Sequence, residues 1–155
     1  LAPRGATPDA DPIGYALYEN ENALPRSFVL GNVRTASPRE SVAALAQIVP
    51  REELLLTNDP LPAGPRQAFA PAQIVAYTPA EVVVEAELSE PGYLVLTDLY
   101  AAGWTAQVNG RDVQVMPANL AFRAVPLPAG EHRVVFQFQP PWWKPGAIVS
   151  LDVCR

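Results

Sequence analysis

The sequence predicts a mainly β fold, an antiparallel β-sandwich of jelly-roll type with one α-helix in its N-terminal half. The first observation behind this prediction is an alternation of apolar and polar residues with period two, strongest between Leu94 and Pro140. The second is that turn signals interrupt this alternation at short intervals, as they do in sandwiches and jelly rolls. The third is a helix start signal near Ser37.

The N-terminal elements are predicted to be short. Residues 1–12 are rich in proline, alanine and aspartate, so we expect a flexible lead-in there, and residues 13–155 then form a single domain. Within this domain, residues 15–19 and 27–34 are expected to be strands, and residues 53–57 a buried strand. A chain of 155 residues is long enough to bury a substantial core.

One helix is predicted from about residue 38 to residue 49. Ser37 and Glu40 have the spacing of a capping box, and Pro38 occupies the first helical position between them. Pro50 ends the segment because proline cannot continue a helix. The apolar residues that repeat at helical spacing are Val42, Leu45, Ala46 and Val49.

The dipeptide Asn109-Gly110 predicts a two-residue hairpin turn of type I′. This turn needs positive φ at both central positions, and asparagine followed by glycine tolerates it best. Apolar residues alternate before the turn, from Trp104 to Val108, and after it, from Val113 to Val115. A strand that alternates in this way has one buried face and one face in water.

Further strands follow from the same pattern throughout the C-terminal half. His132, Val134, Phe136 and Phe138 share one face of a last strand, which the connection Pro126–Gly130 joins to the strand before it. The strands predicted in this half are 73–78, 81–88, 92–98, 104–109, 112–117, 119–125 and 131–139. Proline accounts for 18 of 155 residues, well above the usual share of about 5%, which suits a domain with many strand ends.

Charge and composition exclude several classes of protein. The formal net charge is −5, so we expect no nucleic-acid partner, because phosphate binding needs a surplus of Lys and Arg. Cys154 is the single cysteine and His132 the single histidine, which rules out an internal disulfide framework and a multi-histidine metal site within the chain. The chain also lacks a Gly-x-Ser-x-Gly elbow and a glycine-rich phosphate loop. We therefore expect no catalytic residue, no metal and no cofactor.

Four segments resemble the C-terminal extracytoplasmic region of the YfhO family of bacterial membrane proteins. The segments are Tyr18-Glu-Asn-Glu-Asn-Ala-Leu-Pro-Arg26, Thr97-Asp-Leu-Tyr-Ala-Ala-Gly-Trp104, the turn Asn109-Gly110, and Ala118-Asn-Leu-Ala-Phe-Arg-Ala-Val-Pro-Leu-Pro-Ala-Gly-Glu-His132. The resemblance runs from about Tyr15 to Ser150. It implies a fragment of a multi-pass protein similar to glycosyltransferases that use lipid-linked sugars. It also places this chain on the outer face of a bacterial cell membrane, next to the membrane-embedded portion of the same polypeptide.

Several residues are candidates for binding a glycan or a teichoic-acid-like surface polymer. Aromatic faces suit the apolar side of a sugar ring, and polar side chains suit its hydroxyl groups. The candidates are Tyr100, Trp104, Asn119, Arg123, His132, Trp142 and Trp143. Three of them have a specific structural alternative: Trp104 as a core residue, Asn119 as a partner of turn backbone, and Arg123 in an ion pair with Glu131 or Asp98. The pair Trp142-Trp143 is equally consistent with a final strand and with the approach to a membrane interface.

Three functional hypotheses follow for the chain. The first is a non-catalytic accessory domain of a YfhO-like membrane glycosyltransferase that modifies cell-surface polymers. The second is a free-standing glycan-binding module. The third is a carbohydrate-active enzyme, in which Asp98 or Asp112 would pair with Glu85 or Glu87 as the two carboxylates of a glycosidase.

Overall fold

The computed structural model describes residues 2–3, 18–20 and 22–140, and in these residues it contains fourteen strands and one helix. The helix, α1, is Ser41–Leu45. The strands are β1 Ala2–Pro3, β2 Tyr18–Glu19, β3 Ser27–Leu30, β4 Val33–Thr35, β5 Leu54–Leu56, β6 Ala70–Pro71, β7 Gln73–Tyr77, β8 Glu81–Leu88, β9 Gly92–Leu99, β10 Trp104–Val108, β11 Arg111–Val113, β12 Met116–Ala118, β13 Phe122–Leu127 and β14 Gly130–Phe138.

Two five-stranded antiparallel sheets form the body of the molecule, which confirms the predicted sandwich. The first sheet has the order β11-β10-β14-β8-β7, and the second has the order β12-β13-β9-β3-β6. Two small sheets accompany them, β1 with β2 in antiparallel and β4 with β5 in parallel pairing.

The main core lies between the two large sheets. Val84 and Phe136 enter it from the first sheet, and Leu94 and Val125 enter it from the second. A second apolar cluster lies on the other face of the second sheet, where Phe28, Tyr93 and Val95 pack with residues of β5. The second sheet is therefore buried on both faces, which explains why its strands are apolar at consecutive positions instead of alternating.

The predicted hairpin at Asn109-Gly110 is confirmed. Both residues have positive φ, 50° for Asn109 and 79° for Gly110, and Val108 pairs with Arg111 across the turn. The alternation on β10 has the predicted consequence, since Ala106 is buried while Thr105 and Gln107 are exposed. The asparagine also ties the turn to β14, because its Oδ1 accepts a hydrogen bond from Arg133 N at 2.9 Å.

The predicted helix exists, but it is shorter than predicted, and the residues predicted to be buried are exposed. It spans Ser41–Leu45 instead of 38–49, and residues 38–40 form a turn. Glu40 does accept hydrogen bonds from Ser37 N and Oγ, so half of the predicted capping box forms. Val42 and Val49, predicted to face the core, are 72% and 52% exposed. Such a short helix has no full apolar stripe, and Ser41 and Ile48 are buried instead.

Some predicted strands are divided, and others extend beyond the described residues. Residues 27–34 form β3 and β4, and residues 112–117 fall into β11 and β12, which belong to different large sheets. The strand predicted at 119–125 begins only at Phe122 because Asn119 and Leu120 have positive φ. Residue 1, residues 4–12, Trp142 and Trp143 lie outside the described residues.

The sandwich has two ends that differ in their loops. At one end, which we call the exit end, β14 finishes beside the start of β10, where Phe138 pairs with Trp104. The loops 78–80, 100–103 and 119–121 lie at this end, since they adjoin Glu81, Trp104 and Phe122 in the paired strands. The opposite end carries the loops 89–91, 109–110 and 128–129.

Candidate functional site

Five side chains from five chain segments meet at the exit end, and we call them the Arg–Asp cluster. Arg26 precedes β3, Tyr77 ends β7, Asp98 lies in β9, Trp104 begins β10 and Arg123 lies in β13. The cluster therefore joins the two large sheets. It also brings together residues from three of the four segments on which the family resemblance depends, a proximity that the sequence alone does not reveal.

Asp98 is the hydrogen-bonding centre of the cluster. Its Oδ1 accepts a bond from Arg26 Nε at 3.2 Å, and its Oδ2 accepts bonds from Arg123 Nη2 at 3.0 Å and from the Tyr77 hydroxyl at 3.0 Å. Arg26 Nη2 also donates to the Tyr77 hydroxyl oxygen at 2.7 Å. The alternative pairing of Arg123 with Asp98 is thus the one that forms. Both carboxylate oxygens are engaged, which leaves this acid poorly suited to proton transfer or nucleophilic attack.

Arg123 is deeply buried for a charged residue, with 3% of its surface exposed. Its guanidinium carbon lies 3.7 Å from the centre of the Trp104 ring, a close cation–π contact. Among the described residues, its Nε and Nη1 have no hydrogen-bond partner. Burial lowers the pKa of Arg123, while the charge of Asp98 acts in the opposite direction.

Trp104 is consequently a packing residue on the face that Arg123 covers. Its indole also packs against Phe138, with ring centres 5.3 Å apart, and contributes to the edge of the main core. A sugar ring cannot stack on a face that a guanidinium already occupies. This geometry favours the structural alternative for Trp104.

The carboxylates proposed for a glycosidase pair line three different cavities. Asp98 lines a shallow cavity at the exit end, Asp112 lines another on the outer face of the first sheet, and Glu85 and Glu87 line a third. Glu85 is also bonded to Arg133 Nη1 at 3.0 Å. A glycosidase needs two carboxyl groups about 5–10 Å apart across one substrate site, and these acids do not share one.

Asn119 lies at the exit end, but its side chain points into the fold. Its Oδ1 accepts a hydrogen bond from Leu55 N at 2.8 Å, and its own backbone N donates to Leu55 O at 2.9 Å. The residue is buried and has a φ of 47°. It therefore serves the backbone of β5, in keeping with its structural alternative, a turn residue that satisfies backbone groups.

His132 lies near the opposite end, away from the other described candidates. Its Nε2 donates to Pro128 O at 2.9 Å, which leaves Nδ1 as the acceptor for Asn109 Nδ2 at 3.4 Å. Both ring nitrogens thus link the β13–β14 connection to the Asn109-Gly110 turn. A cavity of about 520 Å³ lies beside it, lined also by Glu85, Glu87 and Glu131.

A polar groove runs along the outer face of β10 and β14, and we call it the glutamine groove. It has a volume of about 640 Å³ and begins near the exit end at Tyr100, which is 39% exposed. Its polar lining is supplied by Thr105, Gln107, Asp112, Gln114, Gln137 and Gln139. Two of these amides are already oriented, because Gln107 Nε2 donates to Asp112 Oδ1 at 2.9 Å and Gln137 Nε2 donates to Glu81 Oε2 at 3.0 Å.

The glutamines of this groove are absent from the candidates that the sequence provides. The alternation in the sequence could have identified them. It places the polar residues of these strands, such as Gln107 and Gln137, on the outer face of one sheet. What the sequence does not contain is the pairing of β10 with β14, which brings positions 30 residues apart, such as Gln107 and Gln137, onto one surface. Of the predicted candidates, Tyr100, Trp104, Asn119 and Arg123 lie at the exit end, with the Asn119 side chain turned toward β5.

The described residues offer neither a metal site nor a membrane span. Residues 2–3, 18–20 and 22–140 contain no group of three or more His, Cys, Asp or Glu side chains placed to hold a metal ion. Within the same ranges, no helix has the length and apolarity needed to cross a bilayer.

Comparison with known proteins identifies the family. The model of the bacterial membrane protein YfhO family matches residues 66–150, more than half of the chain. The chain belongs to the YfhO family. The resemblance seen in the sequence is thereby confirmed, and the match covers Asp98, Trp104 and Arg123 of the Arg–Asp cluster.

One curated relative of this YfhO domain is a much longer protein. The chain is 31% identical over 64 residues to the uncharacterized protein YfhO of Bacillus subtilis strain 168. The match covers 41% of this chain and 7% of that protein, so this YfhO domain spans only a small part of the relative's length. No solved structure matches the chain.

Proposed function

We propose that the chain is a non-catalytic accessory domain on the outer face of a bacterial membrane, part of a YfhO protein that glycosylates cell-surface polymers. Membership of a family of bacterial membrane proteins is the observation that carries this proposal. The domain positions an acceptor polymer for the membrane-embedded portion of the same polypeptide or stabilises that portion.

The arrangement of acidic groups supports a non-catalytic role. Asp98, the least exposed of the candidate acids, is bonded by two arginines and a tyrosine. Asp112 lies in a different cavity from Glu85 and Glu87, so neither hypothesised pairing of Asp98 or Asp112 with Glu85 or Glu87 shares one substrate site. The chemistry of sugar transfer would then belong to another part of the polypeptide.

Cysteine labelling in intact cells tests the sidedness of the domain. In the full-length parent protein, Ala129→Cys places a thiol in an exposed loop at the opposite end, in a background with Cys154→Ser. A membrane-impermeant maleimide should label this thiol in intact cells as fully as in lysed cells. Labelling only after lysis would overturn the extracytoplasmic placement.

Carboxylate substitutions test the absence of catalysis in the same cells. Asp112→Asn, Glu85→Gln and Glu87→Gln remove the exposed acids one at a time while preserving side-chain size. An accessory domain predicts that the sugar content of surface polymers stays close to that of the wild type in each variant. Loss of a catalytic acid or base lowers rates by about a hundredfold or more, so a collapse of glycosylation with normal protein levels would favour the enzyme hypothesis.

The second candidate function is glycan binding, and the glutamine groove favours it. Amide side chains offer both donors and acceptors to sugar hydroxyl groups, and a tyrosine at the groove's end offers an aromatic face. Gln107 and Gln137 already have fixed orientations through their partners Asp112 and Glu81. Preoriented groups lose less freedom when a ligand binds.

Titration of the 155-residue chain with purified surface polysaccharide tests this second function. Gln107→Ala and Tyr100→Ala should each weaken binding about fivefold to tenfold, the effect of one lost hydrogen bond or stacking contact. Gln73→Ala, an exposed glutamine on the far edge strand β7, is the matched control and should bind like the wild type. Equal affinity in all three variants would exclude the groove as the binding site.

A further inference from the structure

Most of the net negative charge of the chain lies on the outer face of the first large sheet. Arg133 contributes one positive charge to this face, and its Nη1 is bonded to Glu85 at 3.0 Å. The carboxylates that the cross-strand register places on the same face are Glu81, Glu85, Glu87, Asp112 and Glu131. Five carboxylates and one guanidinium give the described part of this face a formal charge of −4, in a chain whose net charge is −5.

Two of these acids fix the orientation of amides in the glutamine groove. Asp112 and Glu81 lie on β11 and β8, the strands that flank the groove. Gln107 Nε2 donates to Asp112 Oδ1 at 2.9 Å, and Gln137 Nε2 donates to Glu81 Oε2 at 3.0 Å. A carboxylate can only accept hydrogen bonds, so it faces the amide nitrogen and leaves the amide oxygen as an acceptor. The Thr105 hydroxyl also donates internally, to Gln137 O at 3.3 Å. These bonds use three donors of the groove and leave acceptors for a ligand.

The described lining of the groove offers no positive charge to a ligand. None of the described residues that line it is a lysine or an arginine, and Asp112 is the charged residue among them. Arg123 contacts Trp104, but it is 3% exposed and lines a different cavity. Phosphate and carboxylate groups accept hydrogen bonds without donating any, and proteins bind them mainly through arginine, lysine and backbone N–H groups. Hydroxyl groups of an uncharged sugar donate as well as accept, so they match the oxygens that the groove presents.

We infer that the glutamine groove binds uncharged, hydroxyl-rich saccharides in preference to polymers that carry phosphate or carboxylate groups. Asp112 and Glu81 determine this specificity, because they repel an anionic group and hold the amide donors of Gln107 and Gln137 away from it. The inference rests on the second candidate function, glycan binding, and adds the class of ligand to it. A phosphate-bearing polymer of the teichoic-acid type is accordingly a poor ligand for the groove.

Titration with two fractions of one surface polysaccharide preparation tests the inference. Polysaccharide from the bacterium that makes the parent protein is separated by anion exchange into a neutral and an anionic fraction, and each is titrated into the 155-residue chain by calorimetry. At about 20 mM salt, we expect the neutral fraction to bind at least about tenfold more tightly than the anionic fraction, because screening is weak there. The ratio of the two affinities should fall as salt is raised to about 0.5 M, since a shorter Debye length weakens the repulsion.

Substitution of the two acids adds a second readout. Asp112→Asn and Glu81→Gln each remove one negative charge and keep an oxygen that can accept the bond from the neighbouring glutamine. Each should lower the ratio of neutral to anionic affinity about threefold, because one like charge near the ligand is lost. Glu52→Gln removes the same charge from an exposed position outside the first sheet and is the matched control, with an unchanged ratio. Circular dichroism verifies that each variant is folded.

Three results would overturn the inference, and they differ in what else they remove. Equal binding of the two fractions, with Gln107→Ala weakening both, would leave the groove as a glycan site but exclude this specificity. Binding of neither fraction would remove glycan binding itself, and the inference with it. Equal changes of the ratio in Glu52→Gln and Asp112→Asn would assign the preference to the net charge of the chain and not to the groove.

Discussion

Arg123 and Trp104 form one packing unit, in which the guanidinium carbon lies over the indole at 3.7 Å from the ring centre. The same guanidinium holds Asp98 through Nη2. This arrangement connects β13 and β9 in the second sheet with β10 in the first. An arginine that is both stacked and ion-paired fixes the two sheets relative to each other at the exit end.

Replacing Arg123 should destabilise the domain strongly. Arg123→Ala leaves a cavity against Trp104 and removes a partner of the partly buried Asp98, so the free energy of unfolding should fall by about 3 kcal/mol. Urea denaturation measures this change. Arg133→Ala breaks the exposed pair with Glu85 and is the matched control, with an expected loss of less than about 1 kcal/mol.

A lysine at position 123 distinguishes the contribution of the positive charge to stability from the contribution of guanidinium stacking on Trp104. Arg123→Lys keeps the positive charge but loses the planar group that covers the indole, so we expect it to recover only part of the lost stability. Full recovery would mean that charge alone matters there. Equal losses for Arg123→Ala and Arg133→Ala would contradict the account of the cluster as a packing unit.

The sequence predicts the position of several strands closely, in the sheet with one wet face and in the sheet covered on both faces. The predicted bounds of β8 agree with the structure, and those of β9, β10 and β14 agree to within a residue at each end, whereas those predicted for β11 and β13 do not. β3 and β4 are predicted as one strand, because residues buried on both faces show no period that marks where a strand ends. The predicted helix is too long because its capping signal is local, whereas burial of Ser41 rather than Val42 is decided by tertiary packing.

The sequence identifies some residues of the Arg–Asp cluster, but it does not predict which distant residues they contact. The sequence suggests Arg123 and Asp98 as an ion pair, and the structure has that bond. Tyr77 and Arg26 are not among the candidate site residues from the sequence, since they lie 21 and 72 positions from Asp98 along the chain. Contacts at such separations depend on strand order, which a period of two residues cannot specify.

Tyr93 should make the domain sensitive to alkaline pH. Its ring is fully buried and its hydroxyl donates to Asp59; burial, followed by this hydrogen bond to a carboxylate, raises the pKa of Tyr93 above its ordinary value. A raised pKa stabilises the folded state while the hydroxyl is protonated. This stability is fully present below the unfolded pKa of about 10 and is lost as pH rises through the higher folded pKa.

Denaturation with urea across the alkaline range checks this dependence. Above about pH 10, the free energy of unfolding should fall by up to about 1.4 kcal/mol for each pH unit on account of this one group. Tyr93→Phe cannot ionise, so its decline should be shallower, starting from a plateau about 1 kcal/mol lower for the lost hydrogen bond. Parallel declines in the two proteins would show that Tyr93 is not responsible.

Two glycines with positive φ should differ in their tolerance of a side chain. Gly110 has a φ of 79° with open space where a Cβ would lie, whereas Gly103 has a φ of 103° and a Cβ there would lie 2.8 Å from Gln139 O. Gly110→Ala should therefore cost about 1 kcal/mol for backbone strain alone. Gly103→Ala should cost about 2–3 kcal/mol, since the clash adds to the strain. Thermal unfolding compares the two, and equal costs would mean that the loop at Gly103 yields freely.

Asn119 provides the clearest distinction between a binding residue and a structural one. Asn119→Ala removes the acceptor for Leu55 N and places alanine at a φ of 47°, so stability should fall by about 2–3 kcal/mol. Asn119→Gly restores the backbone freedom but not the acceptor, and should lose about 1 kcal/mol less than alanine does. Hydrogen exchange at the Leu55 amide should accelerate in both variants, because each leaves that N–H without its partner. If instead both variants kept the stability and the Leu55 protection of the wild type but bound surface polysaccharide less tightly, Asn119 would be a glycan ligand and not a support for β5.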